Sequence, residues 1–286
     1  MHRTPWRPVG HDPPMSTTPP RPAQPARSFP PRDDLRRRVL AGEATLGVFL
    51  NLGSAATADL VTRAGYDWVI VDLEHGFGGE GDLLAQLLAV QGTPTCALVR
   101  VPVAERIRVG RALDLGADGL MVPRLDTVAE VADTVRWMQY PPAGVRGVAL
   151  PTRGAGYGAI AHADLAVTVN PRILGVFQVE SGEAVRAAGE IAAIDGVDVL
   201  FVGPADLSHS LGIPGRFEDP VFVAALDAVV AACRAHGKSA GILLRDASGV
   251  TAARAQGFTF IGVGSDAAFV TNGARQALAE AKAALG

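Results

Sequence analysis

Lysine is almost absent from this chain: Lys238 and Lys282 are the only two among 286 residues, against 24 arginines. A barrel enzyme that works through an imine needs its amine at the C-terminal end of a strand. Lys238 instead precedes a strand-like run and Lys282 lies in an Ala-rich terminal stretch, which argues against Schiff-base chemistry. Cysteine is as scarce. Cys96 and Cys233 stand far apart with no Cys-x-x-Cys spacing, so no disulfide framework is expected, and two buried free thiols in a reducing cytoplasm are. No apolar run is long enough to cross a bilayer. Charged residues make up 19% of the chain and the formal net charge is -3, which gives neither nucleic acid nor an anionic membrane an electrostatic reason to bind. A dinucleotide fingerprint and a P-loop are both missing, and Gly262-Val263-Gly264-Ser265-Asp266 is too short a match to claim phosphate. The expected partner is a small molecule.

Apolar residues supply 48% of the chain, ample for a core. The first 31 residues differ, with ten prolines, four arginines and little apolar patterning. Such a stretch cannot bury enough surface to offset its ordering entropy, so residues 1–31 are expected to form a disordered tail, with Met15 as an alternative start. The remainder, 32–286, is expected to form one domain. Eight strand-like runs follow one another: Leu46–Leu50, Trp68–Leu73, Thr95–Val101, Gly119–Val122, Ile173–Val179, Val199–Val202, Ala240–Leu244 and Phe260–Val263. Helical patterns separate them, including 56–64, 82–91, 104–115, 128–138, 182–193 and 220–236, and Thr127-x-x-Glu130 is a capping-box signature. Eightfold alternation predicts a closed (β/α)8 TIM barrel ahead of a doubly wound sheet, which more often has five or six strands. The glycine-rich connection 141–170 fits the repeat poorly and is expected to be a flap or a subunit contact. Residues 274–285 form an Ala-rich terminal helix, free to pack on its own barrel or on a neighbour.

Barrel enzymes keep their chemistry where strands end. Here the second run ends Val71-Asp72-Leu73-Glu74-His75-Gly76, the third Val99-Arg100-Val101-Pro102, the fifth Gln178-Val179-Glu180-Ser181 and the sixth Gly203-Pro204-Ala205-Asp206. Glu180 and Asp206 offer oxygen alone, which suits Mg²⁺ or Mn²⁺, with Co²⁺ admissible, and leaves coordination positions open to substrate. Asp72, three residues before His75, is placed to orient its ring as a general base. Arg100 presents a fork suited to a carboxylate or an enolate. Each has a plainer reading. Ser181 or Asp206 can be a helix N-cap, His75 a structural histidine, and Arg100 half of an ion pair.

Gly65-Tyr66-Asp67-Trp68-Val69-Ile70-Val71-Asp72-Leu73-Glu74-His75-Gly76, Arg100-Val101-Pro102, Gln178-Val179-Glu180 and Gly203-Pro204-Ala205-Asp206-Leu207-Ser208 together resemble the HpcH/HpaI aldolase family of class II, pyruvate-dependent aldolases over about 45–266. The resemblance implies a divalent metal on Glu180 and Asp206. It also implies pyruvate held by Arg100, by Gln178 and by the amides of Ala205 and Asp206, an acid-base dyad of Asp72 and His75, and a homohexamer that exchanges its last helix. The implied reaction is reversible cleavage of a 4-hydroxy-2-oxo acid to pyruvate and an aldehyde. Oxaloacetate decarboxylation or another carbon-carbon lyase step on the same site stays open, as does a non-catalytic 2-oxo-acid-binding barrel. Ala55, where many relatives carry proline, and Pro151 to Gly158 depart from the family pattern, and both are expected to border the aldehyde.

Overall fold

Strands buried on both faces need apolar residues throughout, and that is how the eight runs are used. The computed structural model describes residues 35–285; the expectation for residues 1–31 lies outside them. The strands are β1 (Thr45–Leu50), β2 (Trp68–Asp72), β3 (Cys96–Arg100), β4 (Gly119–Val122), β5 (Leu174–Val179), β6 (Val199–Val202), β7 (Ser239–Leu244) and β8 (Phe260–Ser265). All pair in parallel and in sequence order, and β8 returns to β1 to close the barrel. The (β/α)8 expectation is met.

Along the chain the helices are α1 (Leu35–Leu40), α2 (Ala55–Thr62), α3 (Glu80–Val90), α4 (Arg106–Asp114), α5 (Val128–Met138), α6 (Leu165–Val169), α7 (Gly182–Ala192), α8 (Pro204–Ser210), α9 (Pro220–Ala235), α10 (Val250–Gln256) and α11 (Asp266–Ala284). Thr127 begins α5 as the sequence predicts: its hydroxyl accepts from the Glu130 amide while the Glu130 carboxylate accepts from the Thr127 amide. Between the strands and the helices lies one apolar layer. A second fills the barrel itself, where Phe49, Trp68, Ile70, Leu98, Phe201 and Phe260 meet and where Leu35 and Val39 of α1 join them. Trp68 stacks on Phe260 with centroids 4.0 Å apart. Burying each of the three phenylalanines contributes on the order of 2–3 kcal/mol.

Period two then decides what reaches the top of the barrel. Trp68 and Ile70 point inward, and Asp72 follows them. Leu98 points inward, and Arg100 follows. Register makes Asp72 and Arg100 direct neighbours across β2 and β3. Likewise Val179 lies beside Val202, so Glu180 emerges next to Gly203.

The 141–170 connection is not a flap over this barrel's own mouth. By the time it begins, α5 has carried the chain back to the opposite end, and the segment packs there against the last turns of α3 and α4. Buried Arg146 donates to Asp114 at 2.8 Å and stacks on Tyr140, and Arg153 donates to the Leu87 carbonyl at 3.3 Å. Residues 151–158 therefore do not border their own barrel's mouth, contrary to the expectation. The final helix also differs. It begins at Asp266, eight residues before the expected start, because the Ser265 hydroxyl caps it by accepting from the Ala268 amide. Asp266 is its one buried residue, and the helix is exposed from Val270 onward.

Candidate active site

Both carboxylate oxygens of Asp72 are fully engaged at the barrel mouth. One carboxylate oxygen accepts from Arg100 Nε at 2.8 Å and from the amides of Glu74 and His75 at 3.1 and 3.2 Å; the other accepts from Arg100 Nη2 at 2.7 Å and Asn51 Nδ2 at 2.6 Å. Five donors fill a carboxylate that has about four lone-pair positions. The histidine ring has no place among them. Asp72 therefore does not orient the His75 imidazole as the sequence suggests; it bonds only that residue's backbone and grips Arg100 in a two-bond fork. The geometry of this tight turn depends on Gly76, where a Cβ would overlap the Asp72 carbonyl oxygen.

Glu74 is the acid that sequence reading missed. Its buried Oε2 lies 3.0 Å from Arg100 Nη1 and 3.8 Å from His75 Nε2, ion-pair contacts without the alignment of a hydrogen bond. Burial raises its pKa, and Arg100 and His75 only partly oppose that. The signal was available, since Glu74 stands two residues beyond Asp72. His75 itself is largely exposed, its side chain 64% accessible, at the edge of the mouth.

Arg100 is buried between these acids and rests on the Phe49 ring, 5.2 Å from its centroid. Burial works against its charge, but the Asp72 bonds and the fields of Glu74 and Glu180 outweigh it and raise the pKa. A guanidinium so pinned needs no reorganisation to meet an incoming anion.

Glu180 follows β5 and accepts from Gln178 Nε2 at 2.7 Å and from the Arg124 amide at 3.2 Å. Gly203 leaves room for it: a Cβ there would stand 2.9 Å from Glu180 Oε1. Burial first, then the negative charges of Asp206 and Glu74, push the Glu180 carboxyl up to about 7. The capping alternative is resolved residue by residue. Ser181 does cap α7, accepting from the Ala184 amide at 3.0 Å. Asp206 does not cap; Gly203 holds that position in α8, and Asp206 lies exposed in the first turn. Like the amide of Ala205, its own amide is left without an intrahelical acceptor, as first-turn amides are.

Among the described residues no group of three or more His, Cys, Asp or Glu forms a ready cage for a metal ion. The donor set nevertheless fits a hard cation that keeps much of its shell for water and substrate. Glu180 and Asp206 are close enough for their charges to conflict, and Gln178 Oε1 is a buried oxygen without a hydrogen-bond partner.

The family model for HpcH/HpaI aldolase/citrate lyase matches residues 45–273. The chain belongs to that family. Two curated relatives show how broad the HpcH/HpaI likeness is. A hydroxypyruvate/pyruvate aldolase of Paraburkholderia phytofirmans is 39% identical over 254 residues, covering 87% of this chain and 97% of that protein. A 5-keto-4-deoxy-D-glucarate aldolase of Klebsiella pneumoniae is 35% identical over 243 residues, covering 85% and 94%. Among solved structures, an HpcH/HpaI aldolase/citrate lyase family protein from Burkholderia cenocepacia superposes with a TM-score of 0.82 at 38% identity, covering 87% of this chain and 98% of its own. Family membership places the chain among aldolase-type lyases.

Proposed function

We propose that this protein is a divalent-metal-dependent pyruvate aldolase that cleaves a 4-hydroxy-2-oxo acid, reversibly, to pyruvate or hydroxypyruvate and an aldehyde. One observation carries the reading: a guanidinium locked by Asp72 and Glu74 beside the carboxylates of Glu180 and Asp206, at the mouth of a barrel whose relatives are named for these donors. The 2-oxo acid's carboxylate is received by the amides of Ala205 and Asp206. Arg100 faces its oxo oxygen, and Gln178 lines the pocket. His75 takes the proton from the 4-hydroxyl, the C3–C4 bond breaks, the aldehyde leaves, the bonding pair passes to the enolate of the 2-oxo acid, and that enolate takes a proton at C3 to be released as pyruvate or hydroxypyruvate. Arg100 stabilises the negative charge that develops on that enolate oxygen. Glu180 and Asp206 would hold Mg²⁺ or Mn²⁺, which supplies Lewis-acid polarisation of the oxo group when bound. In the reverse direction His75 returns its proton to the new hydroxyl.

The expected assembly is a homohexamer in the cytoplasm, with α11, exposed on its own barrel, taken up by a neighbour. Pyruvate release from 4-hydroxy-2-oxo acids, measured with an aldehyde assay alongside, tests the chemistry. Turnover should vanish in excess chelator and return on adding Mg²⁺ or Mn²⁺; full activity in excess chelator would sink the metal assignment.

A further inference from the structure

Asp266 is a buried acid that the reaction above does not use. It opens α11 and is 2% exposed, and no ion pair compensates its charge among the described residues. Burying a carboxylate without a counter-charge is costly unless donors surround it. Here they do. Asp266 accepts from the amides of Asn51 at 2.7 Å, Leu52 at 3.3 Å and Ala267 at 2.8 Å, and from the Thr57 hydroxyl at 3.2 Å. Capping α11 does not require it, because Ser265 already caps that helix.

What Asp266 holds is the turn after β1, and that turn carries Asn51. With its backbone fixed from one side by Asp266 and from the other by the Phe77 amide, which donates to the Asn51 carbonyl at 2.7 Å, the Asn51 side chain reaches Asp72 at 2.6 Å. Asp72 in turn holds Arg100 by two bonds. A single hydrogen-bonded line thus runs across four consecutive strand ends, β8 to β1 to β2 to β3. Three backbone amides, of Asn51, Leu52 and Ala267, point at Asp266, so the position needs an acceptor, and a charged one strengthens each bond.

We infer that Asp266 is a positioning residue for Arg100, acting through Asn51 and Asp72, so that the root of α11 sets how the 2-oxo acid is held. The kinetic form of this inference rests on the functional reading that Arg100 binds the 2-oxo acid. Asp266→Asn keeps the shape but removes the charge and turns an N–H toward the Leu52 amide, and Asn51→Ala removes the middle link without touching α11.

In the aldol direction, each variant should raise the KM for pyruvate about tenfold and leave the KM for the aldehyde unchanged. The double variant should be no worse than the poorer single one, as members of one line are not additive. A rise of about a hundredfold in the double variant, or equal rises in both KM values, would overturn the inference. Asp266→Ser, which keeps one acceptor oxygen, takes the place of Asp266→Asn in the cycle if that variant does not fold. A second readout needs no turnover. Phenylglyoxal labelling of Arg100 in the metal-free protein, mapped by peptide mass, should run several-fold faster in both variants than in wild type, and an unchanged rate would refute the line. Wild-type protein without aldolase turnover would count against the functional reading alone, leaving the labelling to decide this one.

Discussion

Asp72 accepts five hydrogen bonds, and none comes from a histidine ring. The three-residue spacing to His75 is visible in the sequence, but spacing says nothing of which way a ring turns once a strand has ended. What decides it is that Arg100 lies directly across the sheet and fills the carboxylate first. Arg100→Lys should therefore lower kcat/KM about a hundredfold or more, because one ammonium cannot reproduce the fork to Asp72 while also reaching Glu74. Pyruvate-release kinetics on protein shown by circular dichroism to be folded would check this. At the other end of the barrel, Cys233 is buried and its thiol is pushed up to about 12, with burial as the main cause. A raised thiol pKa keeps sulfur protonated and unreactive through the neutral and mildly alkaline range. Native protein at pH 8.5 should resist labelling of Cys233 and of buried Cys96 by a thiol reagent, and unfolding should release both; rapid native labelling of Cys233 would contradict its placement.

Strands were more legible than short helices. A run buried on both faces is continuous in the sequence, so Gly119–Val122 and Val199–Val202 emerge with their observed ends and the other six shift by at most two residues at either end. The short helices α1, α8 and α10 left too little periodicity to read. Missing α8 hid the fact that Asp206 sits inside a first turn. The flap reading of 141–170 failed for a different reason: glycine content marks a long connection but not the end of the barrel it occupies. The β2–α3 turn gives a test at this scale. Gly76→Ala drives a methyl into the Asp72 carbonyl, and overpacking of this kind costs about 1–3 kcal/mol. Denaturant melts should show that loss, together with a fall in activity beyond it, because the same turn bears Glu74 and His75.

At the scale of the molecule, closure of the barrel brings β2, β3, β5 and β6 to one mouth and leaves α11 outside. On that helix Phe269, Val270 and Leu278 are 41%, 57% and 57% exposed, an apolar face that a neighbour in the proposed hexamer would cover. Light scattering should give the mass of six chains for wild type, and Leu278→Glu should shift it to smaller species; a wild-type monomer would refute the assembly. The sequence alone determined the barrel class, the oxygen-only character of the metal-binding candidates and the lack of an imine-forming lysine, since these depend on residue type and on periodicity along the chain. Only the tertiary structure decided that Asp72 serves Arg100, that Glu74 faces His75, that Asp206 is no cap and that Asp266 reaches the mouth. Those pairings join residues that are remote in sequence or set by side-chain direction, and only the register of a closed sheet brings them together.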